Sequence, residues 1–557
     1  MRLHRLKIGS AASGDAQRFK NLKDVTIDFD QSHWVTIVIG WNGTGKSNVI
    51  EALTIIFRDL IRGVRRPEFA YTLSYEIGFG PDRRFIYIDA DPDRKGSPIL
   101  IRRRLGNHTN TQQEDFDGRD AENVRVADFL EGQDDLPHYV FGYYSGESTR
   151  LRDLFNPYIE WYDSRLRNGE DPGLKRLFFA LPIHSQFVLL SFLIQPSPSV
   201  RKFLIEHLAI DPEEGLESVL FVMREPPWKS LEGDPRFWNA RGVVQGFLSR
   251  LYDAAVAPIR TSRRVATSRW NENKLEFQYL YVQDLEALRG LVSDQRGAEF
   301  FRDLESTYVS ELLEEVRVRV KITGEGGVVT FRELSEGEQQ LLTVLGLLRF
   351  TAEAESLFLL DEPDTHLNPR WCVDYLTYLK NFIGAEEVGG ERSHVVLTTH
   401  NPLAIADLEK EQVQILRIER LAQATRVVAH HPEYDPRGMG YGAIVTSDMF
   451  GISSALDRST RVKLEVQRSL AARARLNEPQ RQRLDELNAE LDRLGFRFFH
   501  PDDEFSRYLK FRDDALRARL QTDDPEKLGE AVAQMNPQEL DDLSRSLIEA
   551  LTADDVR

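Results

Sequence analysis

The chain has 557 residues, 41% of them hydrophobic, and its 72 Lys and Arg against 89 Asp and Glu leave a net charge of −17. That length suits roughly two to four structural units, and the acidity excludes coating of nucleic acid by bulk attraction, so any such contact needs a local patch. A lone cysteine, Cys372, excludes a disulfide framework and a Cys-rich zinc site. The opening MRLHRLKIGS lacks a signal-peptide core and the longest apolar runs, such as 187–194, are about half a membrane span, so a cytoplasmic protein without membrane contact is expected.

In chain order, residues 25–29 alternate as a half-buried strand does, while 35–39 are continuously apolar, as in a parallel strand buried on both faces. A glycine-rich loop at 40–45 leads into a helical pattern over 47–57. Strands are expected at 71–77, 85–90 and 99–103, between Gly, Pro and Asp turns. The stretch from about 145 to 290 reads as mostly helical and arginine-rich. Strands at 316–322 and 328–331 follow, then an apolar helix at 338–350 and short buried strands at 357–360 and 395–398. Beyond 450, residues 456–476 and 479–494 read as a helical hairpin, with Leu484, Leu487, Leu491 and Leu494 on an a/d stripe. The last 37 residues carry ten acidic and three basic side chains, the pattern of a solvated helix.

Gly40-Trp-Asn42-Gly43-Thr-Gly45-Lys46-Ser47 fits G-x-x-x-x-G-K-[ST], between an apolar strand and a helix. Glycines there let backbone N–H groups surround phosphate oxygens, Lys46 reaches the β/γ-phosphates and Ser47 holds Mg²⁺. The expected ligand is ATP with Mg²⁺. Residues 356–362 run four apolar side chains into Asp361 and Glu362, which places one carboxylate at the metal and the next where it polarises an attacking water. Ser335 and Glu338 form a capping-box pattern, and Ser335 with Gly337 at a helix start also makes an anion site. His400 ends another buried strand, where ligands of parallel sheets gather, and is read as a γ-phosphate sensor.

These four elements in this order resemble ATP-binding-cassette (ABC-type) ATPases of the SMC/RecF-like branch. The resemblance implies an α/β P-loop fold in which Ser335 and Gly337 contact the γ-phosphate held by the opposite protomer, Asp364 is a dimer contact and His400 a switch histidine. It also calls for a glutamine coupling metal to the helical lobe, for which Gln186 in Leu181-Pro-Ile-His-Ser-Gln-Phe187 is the candidate. The interval from Lys46 to Ser335 is too short for an SMC coiled coil. The organisation expected is therefore residues 1–145 as the first part of the ATPase domain, 146–310 as a mainly helical insertion, 311–450 as its second part, and 451–557 as a C-terminal helical region. The phrases at 141–151, 183–187 and 360–369 further resemble the ATPase subunit of Septu-type and retron-associated anti-phage systems, which acts with a separate HNH nuclease. That resemblance implies a homodimer or higher oligomer and a nuclease partner.

Residues after His400 hold no Asp-x-Asp pair of the kind an OLD-like nuclease needs for two metals. Asp502-Asp503-Glu504 reads as a helix start and His430-His431 lacks a third ligand at suitable spacing. Arg260, Arg263, Arg264 and Arg269, interleaved with hydroxyls and followed by Trp270, are candidate nucleic-acid contacts, although pairing with this chain's own acids is the plainer reading. A RecF-like DNA-repair ATPase and an OLD-like nuclease are the alternatives to a regulatory defence ATPase.

Overall fold

Seven strands build the sheet that carries the phosphate loop: β3 (Val35–Gly40), β8 (Tyr139–Tyr144), β9 (Leu177–Phe179), β15 (Ser356–Asp361), β16 (His394–Thr398), β17 (Val413–Leu421) and β18 (Ala424–His430). Their order is β18-β17-β3-β16-β15-β8-β9, with β18 antiparallel and the others parallel. The apolar runs of β15 and β16 are wholly buried, as strands covered on both faces must be. The structure is a computed structural model; it describes residues 1–451 except 11, 13, 31, 107–120, 174, 267–271, 293–296, 324–326, 352–354, 384–392 and 422–423, and beyond them 452, 456–457, 459–460, 462–464, 466, 477–495, 518 and 545.

A second, antiparallel sheet joins β1 (Arg2–Ile8), β2 (Val25–Asp28), β4 (Tyr71–Ile77), β5 (Arg84–Ala90), β6 (Ile99–Leu105) and β7 (Glu122–Val124) in the order β2-β1-β4-β5-β6-β7. The third sheet corrects the sequence reading. Residues 146–310 do form helices, among them Asn156–Arg167, Pro182–Ile194, Gly242–Ala254 and Gly297–Val309. They also supply β10 (Leu216–Arg224), β11 (Ile259–Ala266) and β12 (Glu272–Val282), which join β13 (Leu313–Ile322) and β14 (Gly327–Thr330) in the order β11-β12-β10-β13-β14. β10 is a nearly continuous apolar run, which periodicity alone does not tell from a buried helix, and β11 has no clean alternation. β9 moreover belongs to the core sheet, so the region is woven into the ATPase core rather than inserted as a separate block.

The helices Pro182–Ile194 and Glu336–Thr351 cross tightly. A Cβ on Gly346 would lie 2.1 Å from Val188 Cγ1, so only glycine permits this approach. Phe192 and Phe350 close the same contact with ring centroids 5.7 Å apart.

Internal contacts divide the chain after Arg437, earlier than the 450/451 boundary expected from composition. In the second unit, Glu478–Arg493 is helical, capped by Asn477 through the backbone N–H of Gln480. Leu487 and Leu491 are buried, Leu494 is exposed, and Lys463 pairs with Glu490. Most of the expected helix at 456–476, the acidic tail and Asp502-Asp503-Glu504 lie outside the described residues.

Candidate nucleotide-binding site

Four parallel strands end together. Tyr144 of β8 stands opposite Asp361 of β15, Asp361 opposite Thr398 of β16, and Thr398 opposite Val38 of β3, two residues before the phosphate loop. The carboxyl ends of adjacent parallel strands thereby gather residues that are far apart in the chain.

The loop between β3 and the helix Lys46–Ile61 has the conformation its glycines permit. Gly40 has φ 152°, and a Cβ there would lie 2.5 Å from the Leu416 carbonyl oxygen; Gly45, at φ 101°, is the helix N-cap. The Lys46 ammonium donates to the Gly40 carbonyl at 2.9 Å and the Trp41 carbonyl at 3.4 Å, which holds it over the loop. Burial lowers its pKa, opposed by the negative charges of Glu362 and Asp361. Asn21 braces the loop from outside: its amide donates to the Gly43 carbonyl at 3.0 Å and accepts from Asn48 at 2.6 Å. Nothing in the local sequence pattern marked Asn21, because its role depends on the second sheet's approach.

Asp361 is buried and its carboxylate accepts from Thr398 Oγ1 at 2.5 Å and from the Ser47 hydroxyl. Burial raises its pKa despite these bonds, with Glu362 adding repulsion. A carboxylate pushed upward beside a hydroxyl is a site that a divalent cation would satisfy. Among the described residues no group of three or more His, Cys, Asp or Glu could hold a metal alone. Two protein ligands suit Mg²⁺, which keeps waters and substrate phosphates in its shell.

Glu362 sits at φ 53°, a left-handed conformation that a non-glycine residue adopts only when its surroundings enforce it. Its backbone N–H donates to the Thr398 carbonyl at 3.0 Å, and its Oε1 lies 2.5 Å from His400 Nε2. That hydrogen bond holds the Glu362 carboxyl below its usual range. The two residues read separately from sequence are thus one hydrogen-bonded pair.

Ser335 is exposed and forms the expected capping box: Glu338 Oε2 accepts from the Ser335 N–H and hydroxyl, both at 2.7 Å. Gly337 has a packing reason, since a Cβ there would meet the His366 carbonyl oxygen at 2.8 Å. Gln340 donates to the Pro363 carbonyl, which ties the helix Glu336–Thr351 to the turn after Glu362. Asp364, the expected dimer contact, is buried within the chain. Its carboxylate is 4% exposed and accepts from Thr399 Oγ1 at 2.7 Å, while Thr365 and His366 are the exposed residues of that turn.

Gln186 is not brought to this cluster. Its side-chain oxygen is buried without a hydrogen-bond partner at a groove lined by Ser218, Leu220, Tyr281 and Arg319 of the five-stranded sheet. The strand end beside Asp361 is occupied instead by Tyr144 and Ser145. Burial raises the Tyr144 pKa, with Asp361 and Glu362 adding to it, and Ser145 Oγ lies 3.2 Å from Thr365 Oγ1. The segment Phe141–Ser145 was noted in the sequence, but only strand pairing shows which carboxylate it faces.

The arginine cluster divides. In β11, alternation puts Arg260 and Arg264 on one face and Arg263 on the other. Arg260 stacks on Trp238 at 5.0 Å and donates to the Arg236 carbonyl at 2.8 Å, whereas Arg263 lies 3.8 Å over the Phe277 ring. Arg269 and Trp270 lie outside the described residues. His431 is held by backbone, with Nδ1 3.0 Å from the Val413 carbonyl.

Residues 17–123, which include the phosphate loop, match the family described as "AAA ATPase domain". Residues 231–406, which include Ser335, Asp361, Glu362 and His400, match the family described as "AAA domain, putative AbiEii toxin, Type IV TA system". Septu protein PtuA of Bacillus mycoides (strain KBAB4) is 31% identical over 102 residues, a stretch covering 18% of this chain and 13% of that protein. No helix among the described residues is long and apolar enough to cross a membrane. Both halves of the nucleotide site thus fall in stretches that match AAA-type ATPase domains, and a short stretch of the chain is similar to Septu protein PtuA.

Proposed function

We propose that the chain is an ABC-type regulatory ATPase of a prokaryotic anti-phage system, which closes as a homodimer or higher oligomer around ATP and Mg²⁺ and controls a separate HNH-type nuclease. The observation that carries the ATPase reading is the convergence of Lys46, Ser47, Asp361, Glu362 and His400 at adjacent strand ends. In this reading the loop N–H groups and Lys46 bind the triphosphate, while Ser47 and Asp361 hold Mg²⁺, which neutralises charge on the phosphate oxygens. Glu362, kept as a carboxylate by His400, takes the proton of the attacking water. His400 shares that proton's charge and reports the state of the γ-phosphate.

The composite site is supported by Ser335, an exposed hydroxyl at a helix N-terminus whose hydrogen bonds, among the described residues, are with Glu338. An exposed anion-binding helix end in one copy suits the γ-phosphate of another. The short likeness to Septu protein PtuA supports the defence setting and the nuclease partner. The test is ATP-dependent assembly. Light scattering of the parent and of Glu362→Gln with ATP and Mg²⁺ should show a larger species, and Ser335→Arg should abolish it without loss of ATP binding. A monomer under all conditions would overturn the composite site.

A further inference from the structure

The five-stranded sheet has one face turned to the protein core and one partly open, where Val222 and Phe277 are covered and Tyr281 is not. Val219, Phe221, Leu280, Val316 and Val318 are at most 1% exposed and form the inner face. On the other face, ladder pairing sets Leu220 of β10 between Arg317 of β13 and Tyr281 of β12, with Ser218 beside Arg319 in the next row. Tyr281 is 42% exposed, and Ile259 at the end of β11 is 57% exposed.

The charge on this open face is unbalanced. Glu315 accepts from Arg317 at 2.8 Å and from Arg332 at 2.5 Å, and it also feels the charge of Arg263. Arg319 has no ion pair among the described residues. Lys321 is matched by Glu217 at 3.1 Å and adds no net charge. Three guanidinium groups therefore share one carboxylate and Arg319 stands beside them, on a protein whose net charge is −17. Arg317, Arg319 and Arg332 line a groove of about 560 Å³ together with Tyr281.

We propose that this groove binds single-stranded nucleic acid. Arginines supply fork-shaped donors for successive phosphates, and the tyrosine ring offers a stacking platform that any base can use. A base stacks on Tyr281 only when unstacked from a partner strand, which selects a single strand over a duplex. The three-residue turn Phe331–Glu333 carries Arg332 and leads directly into Ser335, so a strand held by Arg332 bears on the helix end assigned to ATP. The inference deepens the regulatory reading above, but binding itself requires no hydrolysis.

The test is fluorescence anisotropy of labelled oligothymidylate, oligouridylate and duplex DNA, each about 20 units long, with the full chain and no nucleotide. The parent should bind both single strands at least tenfold more tightly than the duplex, with affinity falling steeply with salt. Arg319→Ala should weaken binding and reduce the salt slope by about one. Tyr281→Ala should weaken it at least fivefold with the slope unchanged, since it removes stacking rather than charge. Both variants should keep the parent's basal ATP turnover, which checks their fold. Absence of single-strand binding, equal binding of the duplex, or wild-type affinity in both variants would overturn the proposal. Turnover unaffected by saturating strand would overturn the link through Arg332 alone. Because Lys46→Ala should bind the strand like the parent, failure here is distinguishable from failure of the ATPase reading.

Discussion

His400 Nε2 lies 2.5 Å from Glu362 Oε1, so the residue proposed to activate water and the residue proposed to sense phosphate form one hydrogen-bonded pair. The bond keeps the Glu362 carboxyl ionised to lower pH than an ordinary glutamate. A depressed carboxylate pKa gives a group that is fully ionised above its ordinary range and loses its charge only as pH falls through the depressed value. His400→Ala should therefore move the acid limb of the pH–rate profile upward, toward the ordinary glutamate range. An acid limb unchanged in that variant would show that Glu362 is not the titrating base.

Removal of the base itself should cost more. Glu362→Gln is expected to lower ATP turnover by about 10²–10⁴-fold while ATP still binds, because proton abstraction is lost and the phosphate contacts are not. Lys46→Ala should instead abolish nucleotide binding. Phosphate release paired with calorimetric titration of ATP separates the two effects.

Thr398 orients Asp361, the carboxylate proposed to hold the metal, donating to its Oδ1 at 2.5 Å. Such outer partners typically account for about 10–100-fold in metal affinity. Thr398→Val should raise the Mg²⁺ concentration needed for half-maximal turnover by a factor in that range and leave the maximal rate at saturating Mg²⁺ nearly intact.

Away from the site, Glu305 is buried with Lys175 and His184. One oxygen pairs with Lys175 and the other lies 2.7 Å from His184 Nε2, whose Nδ1 accepts from the Leu181 N–H at 2.8 Å. Burial would raise the Glu305 pKa, but the charges and hydrogen bonds of Lys175 and His184 outweigh it and bring the value to about 2. Stability from this group is thus present above the ordinary carboxylate range and is lost as pH falls toward 2. Glu305→Gln leaves the Lys175 charge buried and should destabilise the fold by about 3–5 kcal/mol. Urea denaturation at neutral pH measures this, and the mutant–parent difference should shrink in acid.

Gly346→Ala tests the helix crossing. The added methyl would overlap Val188, and the strain of overpacking should cost about 1–3 kcal/mol. The paired variant Gly346→Ala with Val188→Ala should recover part of that loss. Equal stability of Gly346→Ala and the parent would mean that the two helices can part freely.

Local pattern alone carried the phosphate loop, the Asp361-Glu362 strand end, the Ser335–Glu338 cap and three of the seven core-sheet strands, β3, β15 and β16. In each case neighbours a few residues apart enforce the conformation: glycines in the loop, an apolar run before two acids, a serine three residues before a glutamate. Such signals survive in one dimension because the forces behind them act along the chain. What depended on approach from elsewhere stayed hidden. Asn21 bracing Gly43, Thr398 and Ser47 meeting at Asp361, Tyr144 standing opposite Asp361, and Asp364 turned inward to Thr399 all involve partners separated by tens to hundreds of residues. The arginines of 260–264 show the same division: their number was plain in the sequence, but strand pairing decided that they divide between two faces. Which side chains exist, and which turns and caps they can make, is written locally; which of them meet follows from strand order and sheet packing, because hydrogen-bonded ladders bring together segments whose separation along the chain carries no energy of its own.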